Sequence, residues 1–277
     1  MKILWLMSVP LLIGAVTGCD DGQKAQDAAQ LRETSMANMV SIPGGRFQMG
    51  DFGPLVKDKL PYSFDLSTKP LHWVSLSDFK MGKYRVTWGE FNRWLDLQGR
   101  NKTEYYLDVK NNPYAKKNKL GDDYPAKVSW QEAKDYCQWL GTNSGKKTDL
   151  PTEAQWEYAA RSGGQFLIFG NSDNKLYHSN EDPKRNFTTR LAPVGRFAPN
   201  PIGLYDMMGN GTDWVNDWYS EDYYQHSPED NPLGPKNGTE KVVRGYLGSV
   251  DGTLTITRGG RLPDHEFGNG FRCVENL

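Results

Sequence analysis

From Met39 to Gly50 apolar residues occupy alternate positions on either side of Pro43, Gly44 and Gly45, which predicts a β-hairpin. His72 to Phe79 alternates again and reads as a strand. Three helices follow, each announced by its own start signal. Thr87 with Glu90, Ser129 with Glu132, and Thr152 with Gln155 stand three residues apart, the spacing of a capping box. Behind the first box Phe91, Trp94 and Leu95 fall on one helical face, and Val86 is placed to staple onto Phe91. Behind the second, Trp130, Ala133, Cys137 and Leu140 repeat at helical spacing, which turns Cys137 inward. Behind the third, Trp156, Ala159 and Ala160 do the same. Beyond residue 165 the pattern breaks into short strands and long loops, and no internal repeat is visible.

The N-terminus has a different pattern. Lys2 precedes an apolar run from Ile3 to Val16 that is short for a bilayer span and ends in Val16, Thr17, Gly18 and Cys19. This resembles a bacterial lipoprotein signal over residues 1–18, with Cys19 lipidated as the mature N-terminus. The alternative is an ordinary secretory signal with an incidental cysteine. Asp20 is similar to the signal that retains lipoproteins in an inner membrane, so the expected location is the periplasmic face of that membrane. Residues 19–38, rich in Gln, Ala, Asp and Lys, are expected to form the lipidated end and a flexible tether, disordered or weakly helical. Residues 39–277 then form one domain.

Composition narrows the function. Loss of residues 1–18 removes Lys2 and no acid, so the formal charge moves from −1 to −2, leaving no basic field for nucleic acid. Nine Trp, fourteen Tyr and eleven Phe, with 29 Gly and 16 Pro, point to a loop-rich domain around an aromatic core. The chain has three cysteines. With lipid on Cys19, Cys137 and Cys273 remain as an even pair in an oxidising compartment, either as two buried thiols or as one bond.

Several motifs in order carry a more specific signal. They are Ile42 to Gly50, Met81 to Thr87 with Phe91, Pro125 to Leu140, and Leu150 to Arg161. Pro193 to Phe197, Asn200, Gly203 to Asn210 with Asp213 and Trp214, Arg244 with Gly245, Arg258, and Gly270 to Cys273 complete the series. Together they resemble the formylglycine-generating-enzyme, or sulfatase-modifying factor, domain. The resemblance implies an α+β, C-type-lectin-like fold that is irregular and loop-rich, with a small twisted antiparallel sheet and flanking helices. It also implies a structural disulfide between Cys137 and Cys273.

The resemblance also locates what is missing. The family's oxidases carry two copper-binding cysteines after an Arg-Gly-Gly segment, and soft thiolates suit Cu(I). Here Tyr246 interrupts the glycines, and residues 243–250 contain no cysteine. Iron-binding relatives use histidines, but His72, His178, His226 and His265 include no pair at helical spacing. Calcium is the one cofactor left for consideration: Met208, Asn210, Gly211 and Asp213 match a family calcium loop, with Asp213 where Glu is usual. A second family site would fall near Asn180 and Glu181. The alternative for the first loop is a tight Asn-Gly turn with Trp214 beneath it. No Gly-x-Ser-x-Gly elbow, phosphate loop or His-Glu-x-x-His motif is present.

The expectation is therefore a non-catalytic periplasmic lipoprotein that binds another envelope protein or a secreted effector. It would act as a regulator, or as an immunity or accessory protein of a secretion system such as type VI. Loops at 166–186, 219–238 and 249–267 are candidate recognition surfaces, and Trp218, Tyr219, Tyr223, Tyr224 and His265 are candidate interface residues. The alternatives are a divergent oxidoreductase or cofactor-maturation enzyme of the same family with an unrecognised metal site, and a calcium-dependent sugar binder.

Overall fold

The structure is a computed structural model that describes residues 18–111, 121–142, 144–176, 191–245, 248, 251–265 and 268–277. Among them are five α-helices: α1 (Gly18–Ala37), α2 (Trp88–Leu97), α3 (Glu104–Asn111), α4 (Trp130–Leu140) and α5 (Glu153–Ala160). Nine short strands accompany them: β1 (Met39–Ile42), β2 (Gly45–Met49), β3 (His72–Leu76), β4 (Phe79–Gly82), β5 (Lys147–Asp149), β6 (Thr212–Trp218), β7 (Lys241–Gly245), β8 (Arg258–Arg261) and β9 (Val274–Asn276). They pair antiparallel into sheets ordered β1-β4-β9-β5, β2-β3 and β6-β7-β8. This is the loop-rich α+β, lectin-like architecture that the motifs imply.

All three capping boxes form, at the starts of α2, α4 and α5. In each, the hydroxyl accepts the amide three residues on, and the Glu or Gln side chain accepts the cap residue's own amide. The predicted inward faces are buried: Phe91, Trp94 and Leu95 on α2, Ala133, Cys137 and Leu140 on α4, and Trp156, Ala159 and Ala160 on α5.

The predicted hairpin is not there. β1 pairs with β4 and β2 with β3, so the two segments belong to different sheets. Pro43 and Gly44 carry the chain from one sheet to the other. The Gly44 amide donates to Asp78 Oδ1 (2.7 Å), and a Cβ at Gly44 would meet the Leu76 carbonyl oxygen at 2.2 Å. Only glycine fits that crossing.

The expected tether is also different. Residues 18–37 form one helix whose second half packs on the domain. Leu31 is buried against α2 and α4, Arg32 lies over the Trp139 ring (4.3 Å), Arg93 pairs with Asp27, and Ser35 contacts the Tyr136 hydroxyl. Residues 21–26 remain exposed. Met36 packs on the same cluster as Leu31, partly buried, and burying one leucine contributes about 1.5–3 kcal/mol to seating the helix. No described helix is long and apolar enough to cross a membrane.

Two main cores result. One gathers β2, β3, α5 and Val215; the other gathers α1, α2, α4 and Trp214. β6 runs between them, and its alternation assigns neighbours to opposite sides. Trp214 faces the helices and donates to the Val128 carbonyl (2.8 Å). Cys137 and Cys273 are joined, tying α4 to the residue that precedes β9.

Candidate functional site

The charged interior begins on α5. Glu153, Glu157 and Arg161 are four residues apart, so one helical face carries all three inward, and all are buried. Glu153 accepts from Arg244 (2.8 Å) and twice from Arg258 (2.8 Å each). Glu157 accepts from Arg244 and Arg161 (2.8 and 2.9 Å) and from the Gly50 amide (2.9 Å). Burial alone would push the Glu153 carboxyl up, but Arg258 and Arg244 hold it below the ordinary carboxylate value. Arg244 sits on β7, near that strand's C-terminal end. Tyr246, Leu247, Ser249 and Val250 lie outside the described residues.

Asp217, on β6, is the weak member of this group. Its Oδ2 accepts the Glu153 amide (2.8 Å), yet burial and the Glu153 charge push its carboxyl up to about 7. On the neighbouring surface Lys241 is inserted between the Trp130 and Trp218 rings (3.9 and 3.7 Å) and donates to the Asn216 carbonyl. Burial, then the Lys134 charge, bring its ammonium down to about 8.

The loop expected to hold calcium holds a guanidinium. Arg85 donates to the carbonyls of Gly209 (2.8 Å), Asn210 (3.1 Å) and Gly211 (3.1 Å), and grips Asp213 at both oxygens (2.8 and 3.2 Å). Asp213 also accepts from Arg272 and from the Trp156 indole. The Asn210 amide group is spent on both backbone groups of Ala192, and Met208 is buried. A ring of main-chain oxygens closed by one carboxylate is what a hard cation wants, and here the cation belongs to the chain itself. The second expected calcium position, Asn180 and Glu181, lies outside the described residues.

The candidate interface divides. Tyr223 and Tyr224 are core residues: Tyr224 lies against His72 (4.6 Å between rings) and Arg258 (4.4 Å), with its hydroxyl on Glu153. They are excluded from a surface by the aromatic burial that made the cluster visible in the first place. Trp218 is committed to Lys241, and Tyr219 packs beside Arg258 at the edge of the core. His265 sits in a tight turn, its amide on the Leu262 carbonyl and its own carbonyl accepting from Gly268. The five therefore do not form one exposed patch. Among the described residues, no three His, Cys, Asp or Glu side chains are grouped to hold a metal.

What sequence reasoning missed is a cavity of about 420 Å³ between the end of α1 and the start of α2. Its walls include Ser35, Met39, Lys83, Glu90, Asp122 and Asp123. It goes unseen in the sequence because α1 was not expected to dock.

A domain of short sheets, capped helices and one long-range disulfide, arranged around a buried arginine network, defines the lectin-like class. The chain belongs to the sulfatase-modifying factor enzyme 1-like domain family, whose model matches residues 24–277. The formylglycine-generating enzyme of Streptomyces coelicolor is 28% identical over 318 residues, covering 95% of this chain and 96% of its own. The inactive Cα-formylglycine-generating enzyme 2 of Bos taurus is 30% identical, covering 88% and 90%. A serine/threonine-protein kinase, pkn1 of Chlamydia pneumoniae, is 31% identical over 264 residues, or 87% of this chain, and the matched region spans only 38% of that longer protein. Among solved structures, PvdO from Pseudomonas aeruginosa superposes with a TM-score of 0.66 at 26% identity, covering 86% of this chain and 94% of its own.

Proposed function

We propose that this chain is a non-catalytic member of its family that binds another envelope protein or a secreted effector from the periplasmic face of a membrane, held there by lipid on Cys19. The observation that carries the reading is the use made of the three cysteines. Cys137 and Cys273 are bonded to each other, and Cys19 stands at the start of α1. Copper chemistry of the family type needs two thiolates, and the domain has no pair to offer. The inactive bovine relative supports the existence of such members in the family. Loop-borne recognition on a rigid, disulfide-tied core suits a binding role.

Three measurements on the same preparation test this. Thiol titration of the folded chain without Cys19 is expected to find no reactive thiol. Copper(I) titration is expected to show no stoichiometric thiolate complex, and oxygen uptake with a cysteine-containing peptide is expected to stay at background. In parallel, crosslinking in intact envelopes is expected to trap one protein at a stoichiometric level. A tightly bound copper with oxygen consumption would overturn the reading in favour of a divergent oxidoreductase.

A further inference from the structure

We propose that Lys134 and Asn216 form an intramolecular isopeptide bond, with Asp149 as the proton carrier and ammonia as the leaving group. The inference goes beyond the proposed function and does not depend on it. Three side chains from three elements meet at this point. Lys134 Nζ, on α4, lies 2.9 and 2.8 Å from Oδ1 and Oδ2 of Asp149 on β5, and 2.9 Å from Oδ1 of Asn216 on β6. Asn216 Nδ2 faces Asp149 Oδ2 at 3.5 Å. The carboxamide thus turns its oxygen to the amine and its nitrogen to the carboxylate. In that orientation one carboxylate takes a proton from the nucleophile and gives it to the leaving group.

Each partner is held from behind. The Asn216 amide donates to the Pro151 carbonyl (2.8 Å), and its own main-chain carbonyl accepts from Lys241 (3.0 Å). Asp149 Oδ1 also accepts the Leu150 amide (2.8 Å). Lys134 stands on a helix started by the Ser129 capping box and tied down by Cys137 one turn on. Groups fixed at contact distance on rigid elements react as though very concentrated, which is what amide exchange requires. An ordinary ion pair needs only the carboxylate; here a carboxamide touches both members of the pair. Of the two carbonyl carbons in reach, that of Asn216 is the electrophile, because a carboxylate resists attack.

The step balances without an oxidant or reductant. Asp149 takes one proton from the Lys134 ammonium. The freed Nζ lone pair forms a bond to Asn216 Cγ, and the carbonyl pair moves onto Oδ1. Asp149 passes its proton to Nδ2; as the carbonyl re-forms, the Cγ–Nδ2 bond breaks and ammonia departs. A second Nζ proton leaves through Asp149 to the ammonia, so the products are a neutral amide and ammonium. The Lys134 and Asp149 side chains are 20% and 24% exposed, which gives the ammonia a path to solvent. Burial, then the Lys134 charge, lower the Lys241 ammonium. Two cations therefore repel across Asn216, and amide formation removes one of them. The product ties α4 to β6, beside the disulfide that ties it to β9.

The test digests the full chain, purified from envelopes and reduced, with trypsin and reads the peptides by mass. Cleavage after Lys134 is expected to fail. The peptide carrying Lys134 is expected joined to the one carrying Asn216, at their summed mass less one ammonia. Asp149→Asn keeps an oxygen for the Leu150 amide and is expected to return both peptides unlinked while the disulfide still forms. Lys134→Arg is expected to return the Asn216 peptide unlinked as well. Recovery of both peptides unlinked from the natural chain would overturn the proposal, whatever the variants do. An undiminished link in Asp149→Asn, or a link from Lys134 to Asp149 at the summed mass less one water, would overturn it too. None of these outcomes bears on the copper and thiol measurements above.

Discussion

Arg85 and Asp213 are 128 residues apart in sequence and meet side-on in the interior, Nε to Oδ1 at 2.8 Å and Nη2 to Oδ2 at 3.2 Å, with neither side chain exposed. The same guanidinium also satisfies three successive main-chain carbonyls, so one side chain both folds the 209–211 loop and neutralises the carboxylate beside it.

Arg85→Ala is accordingly expected to cost roughly 3–5 kcal/mol of stability, because it leaves a buried carboxylate short of a partner and strands the carbonyls. It also opens an oxygen-lined hole. Calcium should raise the melting temperature of the folded variant while leaving the natural protein unmoved. Arg85→Lys keeps the charge but not the five-point geometry, and should lose less, about 2 kcal/mol. A calcium response in the natural protein equal to that of the variant would contradict this reading of the loop.

Asp217 sets a pH dependence of opposite sign to that of its neighbours. Its ordinary value is 3.8 and its folded value is pushed up to about 7. Between those limits the unfolded chain has released a proton that the folded chain keeps, so stability falls as pH rises and levels off above about 7. Asp217→Asn retains an oxygen for the Glu153 amide. It should match the natural protein near pH 4 and exceed it by about 1–2 kcal/mol at pH 8, as followed by thermal melts across that range.

Glu153 and Asp213 work the other way. Burial raises both, but Arg258 and Arg244 around Glu153, and Arg272 and Arg85 around Asp213, hold both carboxyls low. The stability they contribute is present above the ordinary carboxylate range and is lost as pH falls through their folded values, below about pH 4. The stability profile should therefore drop in strong acid and decline again gently toward neutrality.

The disulfide spans 136 residues and links α4 to the start of β9. Replacing both cysteines by serine should remove about 4–5 kcal/mol on the chain-entropy estimate. Denaturant unfolding of the oxidised and double-serine proteins measures it, and an unchanged midpoint would show that the bond restrains nothing the core does not already restrain.

Leu31→Ala tests the seating of α1. Removing its side chain from the α2–α4 surface should cost roughly 2–5 kcal/mol if the helix and core unfold together. If α1 instead releases alone, exchange protection in residues 27–37 will fall while that of α4 is kept.

Local signals in the sequence were enough for some of this and not for the rest. Caps such as Thr87 with Glu90 depend on residues three apart, and the apolar faces behind them depend on one helical period, so both are legible from a short window. Strand partners are not: alternation around Pro43 says that two strands exist, but not that Gly44 sends them to different sheets. The charged core was invisible because Arg and Glu belong at the surface by default. The spacing of Glu153, Glu157 and Arg161 along a helix that also carries Ala154, Trp156, Tyr158, Ala159 and Ala160 was the available hint. Arg258 reaches Glu153 from 105 residues away, a relationship that no local pattern encodes. The calcium motif was readable as a loop, but the guanidinium that its carbonyls bind comes from Arg85, in the segment between β4 and α2, and could be found only in space.

α1 has one consequence for how the protein meets its surroundings. Twenty helical residues span about 30 Å, and the last three turns are fixed to the domain while residues 21–26 are exposed. With the proposed lipid at Cys19, attachment is through a post rather than a leash. A leash lets a domain sample a hemisphere of positions; a post fixes its height and narrows its tilt. The loops would then face a constant direction relative to the bilayer, and a partner diffusing in the same plane would meet the same surface at every encounter.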